Sequence, residues 1–243
     1  MFDRLQLVLR LREPFEAIDL GFVLLHRHAR SVYGAWALVV LPLVAVIYGF
    51  FFGVLHAYPW VPPLLLWWLR PLLDRPVLHI LSKASFGAVP TLKDTLRSLP
   101  SLYRRGGLST LLWRRVDLAR TFALPLWQLE GQSGKGYRLR RKILTRRALI
   151  QAQGLTVACF AFEAVLALTL LVGIQYMLPK GSEFNVFDRL FASTPGERLA
   201  WLDLLAALLP VLTATVVEPF LVAGGFSLYL NRRIQLEGWD LEL

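Results

Sequence analysis

The sequence predicts an all-α, polytopic integral membrane protein: four transmembrane helices arranged as two hairpins, with amphipathic helices at the interface. Three observations lead to this reading. The 243 residues are 56% hydrophobic with a mean hydropathy of +0.50, against about 45–50% apolar residues in soluble domains. Apolar runs long enough to cross a bilayer lie on both sides of residues 83–149. That middle segment holds fifteen Lys/Arg against three acids, a net +12 in a chain whose total is +10. Cationic loops are retained on the cytoplasmic face, so this segment orients the molecule. Basic patches also bind nucleic acid. Here the charge lies between spans, where topology and anionic lipid headgroups account for it, and no nucleic-acid partner is expected.

Taken in order, residues 1–33 read as a cytoplasmic amphipathic helix running up to the membrane. Phe15, Ile18, Phe22, Leu25 and Ala29 recur at helical spacing, and Pro14 suits a first-turn position. The charges spread through this stretch do not fit a signal peptide, so the N-terminus is expected to be retained. His26 and His28, two apart, would point to different sides of a helix, which argues against a metal pair.

Residues 34–82 form the first transmembrane hairpin. Gly34 to Ala57 carries no Lys, Arg, Asp or Glu and covers the hydrocarbon core with room for tilt, with Pro42 as a kink. Tyr58, Pro59 and Trp60 make an aromatic turn. The second crossing, Trp60–Ser82, is interrupted by prolines and carries Arg70, Asp74 and Arg75. Three central charges cost roughly 8–10 kcal/mol on the insertion scale, while its Leu, Ile and Val return roughly 5. It should insert only when paired with the first span.

The basic loop, residues 83–149, is cytoplasmic and helical. Leu92, Leu96, Leu99 and Tyr103, then Leu108, Leu111 and Leu112, alternate with basic residues. Helices lying flat on the bilayer with Trp113 and Trp127 at headgroup depth would give this pattern. A helical cap packed under the spans would give it equally well. Gly131-Gln-Ser-Gly134-Lys135-Gly136 lacks the first Gly and the Ser/Thr of a phosphate loop. It reads as a turn before a basic helix, Tyr137–Arg147.

Residues 150–230 form the second transmembrane hairpin. Its first crossing, Ile150–Leu178, is interrupted in charge only by Glu163, and a charge-balanced external loop follows at 179–200. The last crossing, about Trp201–Leu230, is bent or in two parts at Pro210 and Glu218-Pro219. Residues 231–243 are a cytoplasmic tail, so both termini are expected inside.

Arg70, Glu163 and Glu218 fall near the middles of their spans, where an isolated charge is costly. Arg70, Asp74, Arg75, Glu163 and Glu218 are therefore expected to form one buried charge cluster tying the hairpins together. Neither Gly-x-Ser-x-Gly nor His-Glu-x-x-His occurs, and the single cysteine, Cys159, excludes an internal disulfide. No catalytic residues, metal or cofactor are expected.

The terminal stretch Glu218-Pro219-Phe220 … Gly224-Gly225-Phe226 … Tyr229-Leu230-Asn231-Arg232-Arg233 … Glu237-Gly238-Trp239-Asp240 resembles the N-terminal membrane region of an uncharacterised bacterial family of multi-pass proteins. Trp67-Trp68-Leu69-Arg70-Pro71, Trp113-Arg114-Arg115 and Leu124-Pro125-Leu126-Trp127 fit it too. More loosely, the exit from the last helix (Tyr229, Arg232, Arg233, Glu237, Gly238, Asp240) is similar to that of the membrane domain of some glycerophosphodiester phosphodiesterases. The resemblance implies a bacterial cytoplasmic-membrane protein encoded near MoxR-type AAA+ ATPases and other envelope proteins, with no established biochemical role. Family members often continue into a further span and an extracytoplasmic domain. Functions residing there, or in a phosphodiesterase domain, are not expected to carry over to these 243 residues. Physically, Tyr229 is expected to anchor at the inner interface, Arg232 and Arg233 to meet headgroups, Arg233 to pair with Glu237, and Asp240 to reach the basic loop. The expected function is a non-enzymatic inner-membrane scaffold or assembly protein. The alternative is a small transporter or lipid-handling protein using the buried charges.

Overall fold

A computed structural model describes residues 12–55, 60–104, 111, 117–177 and 200–238. Among them there is no strand. Helix α1 is Pro14–Arg27. Helix α2 is Ala29–Tyr48, continued by a π-helical stretch at Gly49–Val54. Helices α3 (Val61–Ser85) and α4 (Leu92–Arg104) follow, then the short α5 (Arg120–Gln128) and α6 (Gly134–Thr145). The chain continues with α7 (Leu149–Met177) and α8 (Ala200–Glu237). The external loop 179–200 falls almost wholly outside the described residues, as do Tyr58, Pro59, Leu108, Leu112, Trp113 and Asp240.

Three helices are long and apolar enough to cross a membrane: Ala29–Val54, Leu149–Met177 and Leu204–Glu237. The chain thus has the composition of a membrane protein, with three strong spans where the sequence suggested four. The doubtful one is α3. Its 25 residues reach about 37 Å, enough to cross, and the helix runs without a break through Pro71 and Pro76. Its charges are what keep its hydropathy low. Helix α8 is likewise continuous through Pro210 and Pro219, so of the two expected forms it is not the one in two parts, and it carries Arg232 and Arg233 inside it.

The central element is α8, which packs against α1, α3, α5 and α7, while α2 pairs with α3. Gly21, Gly224 and Gly225 explain how so many helices crowd one. A Cβ on Gly21 would run into the Ala223 carbonyl, and one on Gly225 would lie 2.6 Å from Thr121 Oγ1. One on Gly224 would press on Leu155 of α7 and on Ile18 and Phe22 of α1. Small residues at such crossings let backbones approach closely.

This crowding corrects one expectation and selects between two others. Helix α1 buries Ala17, Ile18, Gly21, Leu24 and Leu25 against its neighbours, leaving Phe15 70% exposed. Its buried face is set by packing on α8 instead of by a bilayer surface. In the basic loop, α5 is buried from Thr121 to Trp127, so of the two expected arrangements this part takes the packed cap, with Trp127 enclosed by protein. Helix α4 keeps the amphipathic, largely exposed character expected of it, with Leu92 and Leu96 over 40% exposed. Thr91 caps it: the Asp94 N–H donates to Thr91 Oγ1, and that hydroxyl donates to Asp94 Oδ2 at 2.6 Å. The Thr91 hydrogen bond holds the Asp94 carboxyl below its ordinary range.

Burial is unevenly divided along the bundle. The core gathers around Val77–Leu81, Phe122–Leu126, Leu144 and Leu221–Tyr229. Towards the other end, α7 buries nothing beyond Cys159, and Phe162, Val165, Leu168, Tyr176 and Met177 stand exposed. A smaller cluster of Ile47, Tyr48, Leu66 and Ala207 holds that end, with the Tyr48 hydroxyl donating to the Ala207 carbonyl at 2.5 Å.

Gly225→Val should lower stability by about 1–3 kcal/mol, since an overpacked crossing must open. Gly173→Ala, where an added methyl meets nothing within 4 Å, should leave it unchanged or slightly raised. Thermal unfolding in mild detergent compares the two.

Candidate functional site

Four helices bring ionised side chains to one place. From α3, Arg70 donates two hydrogen bonds to Glu163 of α7, one of them at 2.8 Å to Oε2 and the other to Oε1. Its Nη1 is also 3.7 Å from Glu218 Oε2 on α8. On the other side of Glu218, Arg120 of α5 donates to Oε1. The same guanidinium lies 3.5 Å from Asp74 Oδ2, one turn beyond Arg70 on α3. The order is therefore Glu163, Arg70, Glu218, Arg120, Asp74. Every member is nearly removed from solvent, with Asp74 2% and Glu218 1% exposed. Charges so placed are tolerated only when paired and hydrogen-bonded.

Of the five residues expected to meet, Arg70, Asp74, Glu163 and Glu218 do. Arg75 turns elsewhere: its guanidinium sits over the Trp127 ring at 4.2 Å and donates to the Leu102 carbonyl at 2.7 Å. Gln128 closes the same contact by donating to the Arg75 carbonyl. Burial of this corner pushes the Tyr103 phenol up to about 12. His79, one turn beyond Arg75 on α3, has its Nε2 3.3 Å from Ser98 Oγ of α4. Arg120, the residue the sequence reading missed, is one of fifteen cations in the basic segment. The signal that marks it is local: it opens the stretch Arg-Thr-Phe-Ala-Leu-Pro-Leu-Trp, uncharged after its first residue.

The terminal motif builds a second ionic centre at the basic end. Arg233 pairs with Glu237 four residues on, at 2.6 Å, as the spacing suggested. Arg140 of α6 donates to both Glu237 and Glu130. Tyr229 is buried, its hydroxyl donating to Glu130 Oε1 at 2.5 Å, and Arg232 is buried with Nε on the Leu144 carbonyl. Neither lies at an open surface in the folded chain, so both do packing work where interface anchoring and headgroup contact were expected. Gly238 takes a positive φ of 64° just past α8, a conformation glycine adopts without strain. Asn231 of the same motif fixes the start of α1 by exchanging two hydrogen bonds with the Arg12 backbone.

A groove of about 360 Å³ is lined by Trp60, Pro63, Leu64 and Trp67 together with Arg70 and Glu163. Its walls are apolar, with Val40, Leu73, Val211 and Ala214 among them. Trp36 lines it as well, and the Trp36 indole N–H is buried without an acceptor. Among the described residues no group of His, Cys, Asp and Glu has the arrangement of a metal site.

Comparison with family models, curated proteins and solved structures returns no match. The chemistry must be argued from the cluster itself.

Replacing one partner of a buried pair exposes the other, at a cost of about 3–5 kcal/mol. Arg120→Met should therefore destabilise the protein by that amount. Adding Glu218→Gln should recover part of the loss, because it removes one stranded carboxylate. Denaturant unfolding of the single and double variants measures the difference.

Proposed function

We propose that the chain is a non-enzymatic scaffold of the bacterial cytoplasmic membrane that assembles with other envelope proteins. It crosses four times as two hairpins, with α3 as the charged crossing, and keeps both termini and the basic segment on the inner side. The observation that carries this reading is α7. Its most apolar 18-residue window is 6% buried, although the same helix is pinned to the bundle through Glu163 and Ala152–Cys159. A rigidly held helix with a bare apolar flank suits lateral contact with lipid and with other membrane helices. The basic α6, with Leu139 and Ile143 exposed beside its cations, gives the inner side a face for anionic headgroups or an acidic partner. The resemblance points to envelope-operon proteins and a MoxR-type AAA+ ATPase as the partners to seek.

A second reading, a small transporter or lipid-handling protein, is favoured by one feature: an apolar groove that includes the Arg70–Glu163 pair in its lining, beside a buried indole donor without an acceptor. Such a site would take an amphiphile with an acceptor group at one end.

Affinity purification in mild detergent separates the two. The scaffold reading expects defined membrane proteins to copurify with the wild type and to be lost with Ala161→Trp on the bare flank of α7, while the variant remains folded. Copurification unchanged in that variant would count against it. For topology, cysteines placed at 94 and 139 should react only from the inner side.

A further inference from the structure

The ionic cluster does not balance as drawn. Three carboxylates, those of Asp74, Glu163 and Glu218, share two guanidinium groups, those of Arg70 and Arg120. Glu163 uses both of its oxygens on Arg70. Asp74 and Glu218 instead flank the same Arg120, and each keeps one oxygen buried without a donor: Asp74 Oδ1 and Glu218 Oε2. Two ionised carboxylates leave both of those oxygens unanswered, since each only accepts; a carboxylic acid beside a carboxylate supplies a donor. Among the described residues no group donates to either oxygen.

A small polar cavity adjoins the pair on one side. Asp74, Asp117, Arg120 and Tyr137 line a cavity of about 20 Å³, enough for one water with polar partners around it. Asp117, another of its lining residues, is paired with Arg141 of the basic helix α6 at 2.6 Å.

We propose that Asp74 and Glu218 form a proton-binding site, holding one proton between them, and that it exchanges with the basic side through this cavity. Uptake moves a proton from water onto one carboxylate, and release returns it, with no other bond changed. Intramembrane carboxyl pairs of this kind serve proton relays. The inference rests on the membrane reading only for the depth of the pair, and it deepens the transporter alternative.

Infrared spectra of the detergent-solubilised protein at neutral pH test it. The expected result is a carboxylic-acid C=O band that moves in D₂O and is displaced by carbon-13 in the Asp and Glu carboxyls of the unmutated protein. Asp74→Asn and Glu218→Gln should each abolish it, because the new amide donates to the remaining carboxylate. Asp94→Asn, at an exposed position, should retain it. Asp117→Asn should slow deuterium exchange of the band severalfold. A wild-type spectrum without the band, or a band that survives both cluster variants, overturns the site; exchange unchanged in Asp117→Asn overturns the route. Because cysteine labelling reads the crossings separately, either reading can fail without the other.

Discussion

Two guanidinium groups clamp three carboxylates in the middle of this bundle, and the rest of the fold is arranged so that they can. A buried charge without a partner costs several kcal/mol even after relaxation. Arg70 on α3, Arg120 on α5, Glu163 on α7 and Glu218 on α8 must therefore arrive together. This requirement explains why α5, a short helix in the basic segment, is drawn wholly into the core. It also explains the glycines on α8. Thr121 follows Arg120, and it can reach its place only because Gly225 offers no side chain. The Leu118 carbonyl just before Arg120 accepts a hydrogen bond from Thr156 of α7 at 2.6 Å, which ties the same junction from the other side.

The cluster also marks a change in the character of the molecule. From Arg70 onwards α3 is almost continuously buried, and from Val217 onwards so is α8. Below this level the helices pack as in a soluble core, reinforced by Tyr229, Glu130, Arg140, Arg233 and Glu237. Above it α2 and α7 are apolar and bare, which is the pattern expected where lipid supplies the surroundings. A body whose charged joint is locked at this boundary can present a fixed greasy flank to neighbours, as the scaffold reading requires. The same joint lies between the apolar groove and the small polar cavity, the property on which the proton-binding proposal draws.

Much of this was legible in the sequence. Glu163 and Glu218 announce themselves because a charge inside an apolar run demands a partner, and Arg70 does so for the same reason. Arg120 did not, because composition treats it as one more loop cation; only tertiary contact distinguishes it. Arg75 follows Asp74 directly, so it leaves the helix about 100° away and finds Trp127 instead of the acids. The hydrophobic face of α1 was assigned from spacing alone, but the close approach of Gly21 to Ala223 decides which side is buried. Tyr229 and Arg232 look like interface residues by type, yet α8 runs on to Glu237 and α6 folds over them.

The central claim is that the bidentate contact between Arg70 and Glu163 is an energetic tie between α3 and α7. A double-mutant cycle on it, with Arg70→Met, Glu163→Gln and the pair compared with wild type by unfolding in mild detergent, measures that tie directly. The account predicts a coupling of at least about 1 kcal/mol between the two positions. Single-variant losses that simply add, to within about 0.5 kcal/mol, would contradict it.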